Sequence, residues 1–78
     1  MTKIGIYPGT FDPFTNGHIN IILRSLKIVD KIIIGVADNP NKNPLLSIDE
    51  RISIIQNDIT YNDIEQNIIE IHPVYGLL

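Results

Sequence analysis

Thr10, His18 and Lys42 are the residues of this chain whose types and placement suit chemistry, and that chemistry is transfer of a phosphoryl-type group. Thr10 and His18 belong to the stretch Tyr7-Pro8-Gly9-Thr10-Phe11-Asp12-Pro13-Phe14-Thr15-Asn16-Gly17-His18, which joins a strand-like run to a helix-like one. Such a βα turn is where α/β sheets bind ligands. Free N–H groups at the helix start attract phosphate, and His18 in the first turn adds a further donor, or a positive charge when protonated. Lys42 lies in the polar loop Asp38 to Pro44 after the second strand, at the same edge of the sheet. Positioning, with neutralisation of developing charge, supplies most of the rate in such transfers, and an ionised phosphate nucleophile needs no general base.

Several other chemistries have no motif here. The chain lacks G-x-x-x-x-G-K-[ST] and G-x-G-x-x-G, which leaves Walker-type NTPases and dinucleotide oxidoreductases unsupported. It also lacks a G-x-S-x-G elbow. With no cysteine there is no disulfide framework, zinc-thiolate site or Cys nucleophile in these residues.

The elements that must hold these groups follow from periodicity. Ile4 to Tyr7, Lys31 to Ala37 and Asn67 to Ile71 read as short strands, the third bounded by His72-Pro73. Ile19, Ile22, Leu23 and Leu26 fall at i, i+3, i+4 and i+7, the stripe of a helix that packs on a sheet and that Thr15 or Asn16 caps. Ser47-Ile48-Asp49-Glu50 is a capping box, after which Ile48, Ile52, Ile55 and Ile59 continue one face. Right-handed crossovers make the β-α-β-α-β order a sheet of three parallel strands. This predicts an α/β fold, the N-terminal half of a Rossmann-like doubly wound sheet. Residues 1–78 are then expected to be the N-terminal portion of a single nucleotide-binding domain whose C-terminal half is not present. Half a domain is expected to be inactive by itself.

Composition sets outer bounds. The 78 residues, 44% hydrophobic and 19% charged, suit one small globular unit. A chain of that size buries only roughly 60–65% of its unfolded surface. A net charge of −3 gives no electrostatic reason to expect nucleic acid or an anionic membrane. No apolar run approaches the ~20 residues of a membrane span, and Met1-Thr2-Lys3 leads straight into the first strand without a signal-peptide core, so a cytoplasmic location is expected.

The residues also resemble a known family. Thr15-Asn16-Gly17-His18 is similar to the [HT]-x-G-H motif of the nucleotidyltransferase superfamily. The longer run from Tyr7 to His18 closely resembles the bacterial phosphopantetheine adenylyltransferases. Asn39-Pro40-x-Lys42-x-Pro44, Glu50-Arg51 and Gly76-Leu77-Leu78 match in the same order. The resemblance implies attack by the 4'-phosphate of phosphopantetheine on the α-phosphate of ATP, with Mg2+, giving dephospho-coenzyme A and pyrophosphate in coenzyme A biosynthesis. It further implies a cytoplasmic homo-oligomer, a homohexamer in the family. Other nucleotidyltransferases, acting on CTP or nicotinate mononucleotide, are the alternative, although these more commonly carry His where Thr15 stands. A non-catalytic half-domain that binds phosphate or a partner chain is another.

Carried over position by position, the resemblance puts Thr10 between the two substrates and gives the Phe11 backbone to ATP. His18 then donates to the α-phosphate, Lys42 holds the attacking phosphate, and Leu78 lines the pantetheine arm. The remaining polar residues have plainer readings. Asp12 reads as a turn-former bonded to nearby backbone rather than a metal ligand. Glu50 reads as a cap and Arg51 as a surface or interface charge. Phe14, Tyr61 and Tyr75 read as packing residues. No side chain in the chain is assigned to metal.

Overall fold

The structure is a computed structural model describing residues 1–39 and 43–76. In chain order these form β1 (Ile4–Gly9), α1 (Asn16–Ser25), β2 (Lys31–Asp38), α2 (Ile48–Tyr61), a 3-10 turn over Gln66–Ile68, and β3 (Ile69–Tyr75). All three strands run parallel in the order β1-β2-β3. Ile4 lies opposite Lys31 and Gly9 opposite Val36; Ile32 lies opposite Ile69 and Asp38 opposite Tyr75. The β-α-β-α-β half of a Rossmann-like sheet expected from periodicity is the fold.

Alternation along β2 decides where the core sits. Ile32, Ile34 and Val36 share one face, and they cluster with Ile19 and Ile22 of α1 and Ile55 and Ile59 of α2. Both helices therefore cover the same side of the sheet. Ile22, Ile34, Val36 and Ile55 are fully buried, each stabilising the fold by roughly 1.5–3 kcal/mol. The other face is open, apolar along β1 and polar where Lys31 meets Glu70. Ile4 and Ile6 stand 54% and 73% exposed, with Ile33 opposite Ile6.

Some expectations are corrected. Leu23 is exposed, because it sits about 100° round the helix from Ile22 and leaves the buried stripe. Where a strand was expected from Asn67, the chain first makes its 3-10 turn, and β3 then runs through Pro73 instead of stopping before it. Among the described residues β3 pairs only with β2, and an edge strand has a side on which a missing N–H costs no ladder bond. Tyr61 and Tyr75 close α2 and β3 and are exposed rather than packed. Phe14 is buried as expected. Among the described residues no helix is long and apolar enough to cross a membrane.

Candidate active site

The site begins where β1 leaves the sheet. Thr10 is exposed directly after β1, and Phe11 follows in the left-handed region at φ 54. That conformation is costly for a bulky residue, on the order of 1–3 kcal/mol, and persists only where the surroundings over-determine it. Here they do. The Phe11 ring is 4% exposed, meets Tyr7 edge-on at 5.1 Å between centroids, and lies over Gly9. A Cβ at Gly9 would stand 2.8 Å from the ring's Cζ, so only glycine lets Phe11 turn back on its own strand. Burial also pushes the Tyr7 phenol up from its ordinary value.

Four residues on, α1 starts. Thr15 is its N-cap, in extended conformation. The N–H of Thr15 donates to Nδ1 of His18 at 2.8 Å, and the Thr15 hydroxyl lies 3.1 Å from the same nitrogen. His18 thus fills the place that Glu or Gln takes in a capping box. A nitrogen that accepts a hydrogen bond carries no proton, so the neutral ring bears its hydrogen on Nε2. Aromatic neighbours hold the ring plane. Phe14 stacks on it at 5.1 Å and 19°, and Phe11 meets it edge-on at 5.0 Å. The only imidazole atom free to serve a ligand as donor is Nε2–H, beside the free N–H groups of the α1 start.

A second set of contacts joins this turn to the lead-in of α2. The Asp12 carboxylate accepts the N–H groups of Leu45 (2.6 Å) and Leu46 (2.9 Å), so the turn-former binds backbone distant in sequence. Arg51 is the principal correction: it is 1% exposed, not a surface charge. Its Nη1 donates to the carbonyls of Thr10 (2.9 Å) and Ala37 (2.8 Å), and its Nε to those of Leu46 and Ser47. The signal was in the spacing, since Arg51 precedes Ile55 and Ile59 at i and i+4 steps on the buried face. Glu50 caps as expected: Ser47 N–H donates to its carboxylate at 3.0 Å and Glu50 N–H donates to Ser47 Oγ at 3.1 Å, while hydrogen bonding from the Ser47 backbone, and then its side chain, holds the Glu50 carboxyl below the usual range.

Thr10 and His18 are thus set at the same end of the sheet, in one turn braced by Phe11 and Phe14. Lys42 and Leu78 lie outside the described residues. A hollow of about 410 Å3 lined by Ile59, Thr60, Gln66 and Ile69 sits at the start of β3, the opposite end from Thr10, and its lining includes no charged side chain. What the turn offers chemically is an exposed hydroxyl, one oriented Nε2–H and a row of backbone donors, a set suited to a phosphate whose charge grows during reaction.

The chain is also similar along its length to known proteins. A phosphopantetheine adenylyltransferase of Helicobacter pylori is 61% identical over 56 residues, covering 72% of this chain and 36% of its own. That of Caulobacter vibrioides is 48% identical over 77 residues, covering 97% and 46%. The chain therefore spans less than half the length of these relatives. A Francisella tularensis bifunctional NMN adenylyltransferase/ADP ribose pyrophosphatase, solved with AMP and a manganese ion, superposes with TM-score 0.84 at 28% identity, over 97% of this chain and 23% of that one. The resemblance to phosphopantetheine adenylyltransferases holds along the chain, and since residues 6–74 match the cytidylyltransferase-like family, the chain belongs to that family.

Proposed function

We propose that the protein containing this chain transfers the adenylyl group of ATP to the 4'-phosphate of phosphopantetheine, releasing pyrophosphate and forming dephospho-coenzyme A. A phosphate oxygen of phosphopantetheine attacks the α-phosphorus, and the bond from that phosphorus to the bridging oxygen of the β-phosphate breaks. The pyrophosphate leaves with that electron pair, so no proton need move. The observation that carries this reading is the Thr15 N–H bond to His18 Nδ1, which leaves Nε2–H as the ring's single donor at a helix N-terminus. His18 then donates to an α-phosphate oxygen as its charge builds, with Thr10 bonding the reacting phosphates and the Phe11 backbone meeting ATP. Lys42 holds the attacking phosphate, and Leu78 contacts the pantetheine arm. The identities of 48% and 61% to phosphopantetheine enzymes, against 28% to the NMN enzyme, favour this acceptor.

Magnesium enters with the ATP phosphates in this reading. Among the described residues no three His, Cys, Asp or Glu gather as a ligand set, and both Asp12 oxygens already accept N–H groups. The described side chains do not fit a metal cage. A cytoplasmic homo-oligomer is part of the same proposal. So is inactivity of residues 1–78 by themselves, because the face bearing Ile4 and Ile6 is uncovered and β1 has one unpaired side among the described residues.

The experiment offers the full-length protein ATP or CTP, with phosphopantetheine or nicotinate mononucleotide as acceptor, and measures pyrophosphate release. Release with ATP and phosphopantetheine alone is expected. Preference for CTP or for the mononucleotide would replace this reading with the alternative.

A further inference from the structure

Resting on the proposed adenylyl transfer, we infer that Arg51 is a positioning residue that fixes Thr10 where the two substrates meet. Burying a guanidinium costs several kcal/mol unless its donors are well matched. Among the described residues Arg51 makes no ion pair, and its hydrogen bonds go to four main-chain carbonyls. Filling space does not explain this, since an apolar side chain would fill it without the desolvation.

The location of the bonds does explain it. The β1–β2 ladder ends at the pair Gly9 and Val36. The next pair in register would be Thr10 and Ala37, and it is their two carbonyls that accept from Arg51 Nη1, at 2.9 and 2.8 Å. The guanidinium replaces the ladder where the strands part, holding Thr10 at a set distance from β2 as the chain swings into the left-handed Phe11. Through Nε the same group is tied to Leu46 and Ser47, and so to the start of α2, whose buried Ile55 and Ile59 anchor it in the core. Thr10 is thereby referred to the core through Arg51. Lysine cannot do this, because one ammonium on a single stem lacks the planar fork that spans both pairs of carbonyls.

The test compares Arg51→Lys and Arg51→Gln with the wild type in the full-length protein, by adenylyl-transfer kinetics and by backbone amide NMR. A misplacement near the reacting atoms lowers kcat while ground-state binding changes little, so kcat should fall at least about tenfold with both KM values within about threefold. Amide shifts should concentrate at Thr10, Phe11, Ala37, Leu46 and Ser47. In a Thr10→Ala background, Arg51→Lys should cost little more, because its effect runs through Thr10. Folded variants with unchanged kcat, an equal penalty in the Thr10→Ala background, or failure of both variants to fold would each overturn the inference. An inactive wild type would sink the proposed reaction instead, and the amide shifts would still report whether Arg51 sets the Thr10 backbone.

Discussion

Phe14 and His18 lie face to face, 5.1 Å between centroids and 19° between planes, while Thr15 between them in sequence donates its N–H to the His18 ring. Stack and hydrogen bond together fix both the plane and the tautomer of the imidazole before any substrate arrives. Preorganised donors of this kind cost no reorganisation during reaction.

His18→Asn separates the two uses of this ring. An asparagine amide reaches where Nδ1 stood and can still accept from Thr15, but it puts no donor where Nε2 was. Helix capping should survive, with stability changed by less than about 1 kcal/mol. Turnover should fall on the order of 10²–10³-fold, the range for one lost donor to a developing oxyanion. Thermal melting and kcat measured together check this, and near-normal kcat would make His18 a cap and nothing more.

Gly9 is the site where a single methyl group should do the most damage. In Gly9→Ala the new Cβ meets the Phe11 ring at 2.8–3.1 Å on three atoms, and the ring is wedged among Tyr7, Phe14 and His18. Overpacking there should cost about 1–3 kcal/mol. The readout that identifies the cause is the His18 ring signal in NMR, which should move because Phe11 carries the strain to it; an unmoved signal would refute the linkage.

Thr10 and His18 could be picked out as candidates because Thr10 lies within, and His18 directly after, one short stretch of turn signals, Pro8 to Gly17, between two clean periodicities. The β-α-β-α-β order, the parallel sheet and the helix stripes apart from Leu23 were legible for the same reason. What escaped was set by partners far along the chain. Arg51 looks like a surface charge until the carbonyls of Thr10 and Ala37 are seen to converge on it, 41 and 14 residues away. Asp12 reads as a local turn residue, yet its acceptors face Leu45 and Leu46. Pro73 looks like a strand boundary unless β3 is known to border a single strand among the described residues.

On the open face, Glu70 pairs with Lys31 and hydrogen-bonds His72. The Lys31 hydrogen bond, then that of His72, then the Lys31 charge hold the Glu70 carboxyl below its ordinary value of 4.5. A carboxyl depressed in the folded state adds stability that is fully present above its unfolded pKa and is lost as pH falls through its folded pKa. Glu70→Gln should therefore remove a small contribution in the neutral range and flatten the loss of stability below about pH 5, so that the two curves converge in acid. Because the pair is solvent-exposed, added salt should shrink the difference. Denaturant melts across that pH range measure it; a variant whose curve parallels the wild type throughout would exclude the pair as a contributor.

Arg51 also has a bearing on how this site can diversify. Its partners are main-chain carbonyls, which every amino acid possesses, so the grip on Ala37, Leu46 and Ser47 takes no notice of side-chain identity. The lettering at those anchors can be rewritten while the mounting stays put, provided each residue keeps its carbonyl in place. Leu46→Met, a volume-conserving change, should therefore leave the melting temperature within a few degrees and the Arg51 bond to that carbonyl intact. A large drop in melting temperature would show that the grip depends on the Leu46 side chain after all.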